Sequence, residues 1–358
     1  MLLAALLAIG TAASAAQAAK HRKHHHKHRH HHKVQHRIGI GAYIPEADRN
    51  PELVDRFAEK IGRNPVILSF YRNWGPALLD NRQLEAASSH GAVPMLTWEP
   101  WDQDEDGISL WSIANGYQDG YLNEAAREAA AWGSPIFLRF AHEMNGNWYP
   151  WGWERDGNSP ELYVAAWRHV VEVFRAAGAG NVRWVWCPYV SNQRLWQFRA
   201  FYPGDEWVDW ACMDGFNWGG YRVWQSFDQI FGETYKALTR LTSRPIMIGE
   251  TGVNDAGGNK PRWITRSLRR RLPRYSHIRA LVWYNATDRR ADLRVDSSAG
   301  ALSAVRLSLS GRTYGSDYER LVNMPSQLKA PPYPHKKRVK RTKHAGGGKR
   351  AGVRSGGS

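Results

Sequence analysis

Two glutamates stand where chemistry is easiest to place. Glu143 lies in Ala141-His142-Glu143-Met144-Asn145-Gly146-Asn147-Trp148, just past the apolar run PIFLRF (135–140), and Glu250 closes the run PIMIGE (245–250) ahead of Thr251-Gly252. A pair of carboxylates facing each other suits cleavage of a glycosidic bond. One protonates the leaving oxygen and the other attacks the anomeric carbon, the two standing about 5–5.5 Å apart when configuration is retained. A metal reading of His142 and Glu143 fails on spacing: HEMNG is not H-E-x-x-H, so no metal is expected. Taken singly, a strand-end Glu is more often an ion-pair partner than a catalyst. The weight rests on the pair and on its surroundings.

Those surroundings are aromatic. The chain has 18 Trp, and Trp98, Trp101, Trp148, Trp151, Trp218 and Trp283 fall in or beside the segments that would surround the pair. Sugar rings present C–H faces that stack on such side chains while hydroxyls bond nearby polar groups. These six are the candidate sugar-binding tryptophans, and the Gly/Pro-containing cluster Trp148-Tyr149-Pro150-Trp151-Gly152-Trp153 is the least suited to total burial.

Eight short apolar runs must carry these residues: IGIGAY (38–43), PVILSF (65–70), VPMLTW (93–98), PIFLRF (135–140), VRWVWC (182–187), WACMDGF (210–216), PIMIGE (245–250) and IRALVWY (278–284). Near-continuous β-branched and aromatic composition predicts strands buried on both faces. Helical patterns intervene. One covers 51–62 behind an Asn50 cap, another runs from Ser159-Pro160 to about Ala177 before Gly178, and a last one follows Asp296-Ser297-Ser298. Alternation of this kind predicts an α/β fold, a single (β/α)₈ TIM barrel with catalytic groups at the C-terminal strand ends. A doubly wound open sheet fits less well, because no Gly-rich phosphate loop follows the first strand.

The 358 residues suffice for one such barrel with tails. The formal net charge of +16 belongs to the tails. Residues 20–37 hold seven Lys/Arg and 327–358 hold ten, neither with an acid, leaving 32 basic and 33 acidic residues elsewhere. That balance argues against a nucleic-acid enzyme, which would carry its basic charge on the folded surface. The expected organisation is a signal peptide (1–18) ending in Ala16-Gln17-Ala18, a disordered His/Lys/Arg-rich arm (19–37), a catalytic domain (38–326) and a disordered basic tail (327–358). Export, a monomeric state and weak contact of the tails with anionic cell wall go with that reading. Cys187 and Cys212 fall on neighbouring expected strands, either as one bridge or as two buried thiols.

Several of these segments together resemble glycoside hydrolase family 26, which includes β-mannanases and some β-glucanases and β-xylanases. FLRFAHEMNGNWYPWGW (137–153) resembles the acid/base segment and PIMIGETG (245–252) the nucleophile segment, while LTWEPW and ALVWYN are similar to the third and eighth strand ends. The resemblance covers about residues 38–310. It implies a retaining barrel enzyme without a cofactor, acting on internal β-1,4-mannosidic bonds, with mixed-linkage β-glucan and β-1,3-xylan as alternatives and a non-catalytic polysaccharide-binding barrel as the remaining one. By position it implies Glu143 as acid/base and Glu250 as nucleophile. His142, Trp148 and Trp283 would face the sugar, Trp283 as a platform, with Arg139 beneath the carboxylates and Asn145 in support. One position departs. Where the family commonly places a tyrosine bonding the nucleophile, this chain aligns Phe216, which leaves three readings open: Tyr221 or Tyr284 supplies that hydroxyl, the register of the alignment is shifted, or the enzyme is slower or differs in substrate.

Overall fold

The computed structural model describes residues 37–323 apart from Pro76, Gln103, Glu105, 191–194 and 316–320. The expected leader, arm and C-terminal tail lie outside the described residues.

Eight parallel strands form one closed barrel: β1 (Ile38–Tyr43), β2 (Ile67–Asn73), β3 (Val93–Glu99), β4 (Ile136–Phe140), β5 (Val182–Trp186), β6 (Trp210–Asn217), β7 (Ile246–Val253) and β8 (Ile278–Tyr284). Each pairs with its successor, and β8 pairs back onto β1 from Gly39 opposite Ala280 to Tyr43 opposite Tyr284. Helices α1 (Glu52–Ile61), α2 (Asn81–Ser88), α3 (Leu110–Ala114), α4 (Asp119–Trp132), α5 (Pro160–Ala176), α6 (Leu195–Ala200), α7 (Phe227–Leu241), α8 (Lys260–Arg266) and α9 (Ala299–Leu309) complete the (β/α)₈ pattern.

Local sequence fixes several helix ends. Ser159 accepts from the Leu162 amide with Pro160 at the first helical position, and Ser298 caps α9 through the Ala301 amide. At α1 the cap position is Pro51, one residue later than the Asn50 expected from sequence, and Gly62 ends the helix at φ 78°. A left-handed closing residue is cheap only for glycine.

Alternation along the strands sorts every side chain. Ile67, Val93, Met95, Phe137, Val185, Trp210, Met247, Ala280 and Val282 fill the barrel interior as one cluster. Their neighbours Leu68, Leu96, Trp98, Leu138, Phe140, Trp184, Trp186 and Trp283 point outward into the larger core beneath the helices. Period-two geometry dictates this division. Leu321 and Val322 join the interior cluster, and a Cβ on Gly39 would lie 2.8 Å from Leu321, so this short segment packs onto the bottom of the barrel at a glycine.

Candidate active site

Carried to the C-terminal rim, the same alternation gathers a polar mouth from inward-facing positions: Tyr43, Tyr71, Glu99, Arg139, Asp214 and Tyr284. Arg139 is fully buried at the centre. Its Nη1 donates to both oxygens of Asp214 (3.0 and 2.8 Å), and its Nε and Nη2 donate to Thr97 Oγ1 (2.9 and 2.6 Å). Nη2 also donates to Glu250 Oε1. Burial alone would lower the guanidinium's pKa, but Asp214 and Glu250 more than reverse this, so Arg139 stays a cation.

Glu250 enters the mouth through an irregularity. The β6–β7 register pairs Met213 with Ile248 but Asp214 with Glu250, leaving Gly249 as an extra residue. Such a bulge re-aims the following side chain. A Cβ on Gly249 would sit 2.4 Å from Cys212 Sγ and 2.8 Å from Asp214 Oδ1, so only glycine fits. Cys187 and Cys212 form a disulfide between β5 and β6, which resolves the alternative the sequence left open.

Tyr71 on β2 completes the hold on Glu250, its hydroxyl donating to Oε1 at 2.5 Å. This corrects the expectation about the missing hydroxyl. Phe216 does occupy the strand-six position, packed on Trp218 and Tyr284. Tyr221, however, is 57 % exposed, and Tyr284 stacks on Tyr43 at 4.8 Å. The bond comes from the opposite side of the barrel instead. Replacing Tyr71 by Phe should lower kcat about 10- to 100-fold, the scale of one hydrogen bond to a charged group. Melting should move little. Unchanged kinetics would remove Tyr71 from the site.

Glu143 sits in a tight turn after β4 with φ 52°, an uncommon value for a non-glycine residue. Its amide donates to the Cys187 carbonyl at 2.7 Å, and Trp148 Nε1 donates to its Oε2 at 2.7 Å. Burial, then the Glu250 charge, pushes its carboxyl up to about 8. Asn145 clamps the turn onto the strand-five loop, donating to Tyr189 O and accepting from Tyr189 N, each at 2.9 Å. His142 is buried between Tyr71, Tyr149 and Trp151. Burial, then Arg139, holds its ring well below the usual histidine range, hence neutral.

Glu99, which no sequence motif marks, is a further carboxyl of the mouth beside Glu143, Glu250 and Asp214. It is 7 % exposed at the end of β3, accepts from Trp101, and is pushed up to about 8 by burial and then Glu250. Neutral at ordinary pH, it is able to donate to a sugar hydroxyl.

The tryptophans divide. Trp148 is 51 % exposed and edges onto Tyr189, Trp101 is half-buried against Tyr149, and Trp218 is half-buried with its Nε1 on Tyr189 Oη at 3.1 Å. These three can meet a ligand. Trp98 and Trp283 cannot, because both occupy outward strand positions: Trp98 stacks on Trp74, and Trp283 donates to Leu293 O at 2.8 Å. Trp151 is also a correction. It is 1 % exposed, stacks on Tyr149 at 4.4 Å, and donates to His142 O at 2.7 Å, so it supports the wall from behind.

Two groups of potential metal ligands come together here, His142–Asp214–Glu250 and Cys187–Cys212–Asp214. Neither suits a cation. The Arg139 guanidinium already occupies the Asp214 and Glu250 oxygens, and the two sulfurs are bonded to each other.

Residues 113–265, which span β4 to β7 and include both glutamates, match the family model described as Glycosyl hydrolase family 26. The chain is 38 % identical over 277 residues to Endoglucanase H of Acetivibrio thermocellus, covering 75 % of this chain and 30 % of that protein. It is 29 % identical over 176 residues to Beta-1,3-xylanase TXYA of Vibrio sp., covering 46 % and 35 %. It is 27 % identical over 207 residues to a mannan endo-1,4-beta-mannosidase of Bacillus subtilis, covering 55 % and 52 %. The chain thus spans about a third of the length of the first two. Among solved structures, a modular endo-β-1,4-mannanase of Cellulomonas fimi superposes with a TM-score of 0.60 at 17 % identity, over 79 % of this chain and 73 % of that one. A β-mannanase of Bacteroides ovatus gives 0.54 at 19 %, over 78 % and 89 %. The barrel domain belongs to glycosyl hydrolase family 26.

Proposed function

We propose that this chain is an exported, retaining endo-glycosidase that cleaves internal β-linkages of a glucan. The observation that carries the reading is one buried mouth holding two carboxylates in opposite surroundings. Glu143 is raised to about 8 and so carries a proton at neutral pH, while Glu250 is bonded to a cation and a phenol. Those surroundings assign the roles. Glu143 gives its proton to the leaving oxygen as Glu250 attacks the anomeric carbon, forming a covalent glycosyl-enzyme. The emptied Glu143 carboxylate then takes a proton from water, which attacks the same carbon and frees Glu250 with net retention.

A glucan is favoured by the extent of similarity to an endoglucanase, 38 % over 277 residues, against 27 % over 207 for a mannosidase. Mannan is the second reading, supported by the mannosidases among the relatives and by the mannanase barrels. Reducing-end release from lichenan, β-1,4-mannan, galactomannan and β-1,3-xylan separates the two. Release from lichenan above the mannans is expected, and release from mannan alone selects the second reading. Export is supported by the small-residue pattern at Ala16-Gln17-Ala18 and by the disulfide, a bond that persists in oxidising compartments.

The protonated Glu143 sets a pH dependence. As pH rises through about 8 the general acid is lost, so kcat/KM falls on that limb. In the wild type the limb should be steep with an unactivated glycan and nearly flat with an aryl glycoside whose leaving group needs no proton. A limb equally steep on both substrates would place the titration elsewhere.

A further inference from the structure

Among the described residues outside the catalytic mouth, a concentration of unused positive charge lies on the barrel's outer wall after β7. From residue 256 to 287 the chain carries eight Lys/Arg and no acid. Arg262, Arg266, Arg270, Arg271 and Arg274, with Pro261 and Thr265, line one open groove of about 750 Å³. They ride on α8, a single π turn (Ser267–Arg271) and a short 3₁₀ turn (Leu272–Arg274). Arg262, Arg266, Arg270 and Arg274 recur every fourth residue along these turns and all line the same groove, with a backbone rise of roughly 18 Å from first to last.

Among the described residues, the neighbouring elements leave most of this charge unneutralised. Of the five arginines lining the groove, only Arg271 has an ion-pair partner among the described residues, Asp228 of α7, which also accepts from Tyr275 at 2.8 Å. The other acid of α7, Glu233, pairs with Lys236, and α9, packed against α8, contains no acid. Exposed like charges brought together repel one another, so the cluster gains nothing in folding that would explain it.

We propose that this groove binds a linear polyol-phosphate polymer, its phosphodiesters meeting successive arginines of the groove. Guanidinium forks match phosphate oxygens in bidentate fashion. Four arginines over a rise of about 18 Å exceed what one phosphate needs. No aromatic side chain lines the groove, so it offers neither a platform for a sugar ring nor a stacking surface for nucleobases. A flexible phosphate chain without rings is the polyanion that fits. Such a contact would tether the barrel to an anionic surface on a wall separate from its catalytic mouth.

The test uses the full chain and a synthetic poly(glycerol phosphate) oligomer, with binding measured by calorimetry across salt concentrations. The comparison is with the quadruple variant R262Q/R266Q/R270Q/R274Q, which retains Arg271 and both basic tails. Thermal melting checks its fold, so the result does not depend on the glycosidase reading. The wild type should bind with a steep salt dependence. The variant should bind at least tenfold more weakly, with a slope of log K against log salt smaller by about 3, from four lost phosphate contacts. Equal binding and slope would assign the polymer to the tails and overturn the proposal. So would tighter binding of an oligonucleotide of equal phosphate number, or displacement by inorganic phosphate at matched phosphate concentration.

Discussion

Glu250→Ala should reduce glycan cleavage by roughly 10⁴-fold or more, the scale of removing a catalytic nucleophile, while the barrel melts within a few degrees of the wild type. The side chain adds little apolar packing, and Arg139 keeps Asp214 and Thr97 as partners. The lost group has a small-molecule substitute. Azide can enter the space the carboxylate leaves and attack the anomeric carbon of an activated β-glycoside, releasing an α-glycosyl azide. Rate recovery with that product, read by NMR, identifies Glu250 as the nucleophile. Near wild-type hydrolysis without azide would remove it from that role.

The second large effect concerns stability. Arg139→Met should destabilise the fold by about 3–5 kcal/mol, because breaking a buried ion pair leaves its partners uncompensated. Turnover should fall with it, since Glu250 loses a bond that positions it. The sign of the pH dependence follows. With Arg139 gone, burial and the Glu250 and Glu143 charges lose their main opponent, and the Asp214 carboxyl moves further above its ordinary value. The folded state then binds a proton more readily than the unfolded chain, so the deficit shrinks as pH falls and grows as it rises. Denaturant unfolding at two pH values measures it, and a loss under 1 kcal/mol at neutral pH would show that Arg139 is not central to the mouth.

Much of this architecture could be read from the chain, and the failures have a common cause. The eight expected runs correspond to β1–β8, but β2 continues past Phe70 to Asn73 and β7 past Glu250 to Val253. Hydrophobicity fades as a strand enters the mouth, so the signal ends just where chemistry begins, and Tyr71 and Glu99 fell beyond it. Trp98 and Trp283 depart from expectation for a related reason. A large aromatic ring suits a sugar platform by composition, but alternation puts their neighbours Glu99 and Tyr284 on the inner face with Thr97 and Val282. Glu250 shows the opposite limit. Strict alternation from Met247 would turn Gly249 inward, and only the bulge, invisible without the β6–β7 register, brings the carboxylate into the site. The two cysteines, 25 residues apart, were legible as neighbours on adjacent strands, but bridge and free thiols are separated only by the positions of the two sulfurs.

Stereochemistry tests the central claim most directly. Purified enzyme is added to lichenan, and the first reducing ends are followed by proton NMR before mutarotation. Double displacement through Glu250 with Glu143 as acid requires the β-anomer to form first and the α-anomer to grow in later. The α-anomer appearing first, or no release from the glucan while mannan is cleaved, would contradict the account.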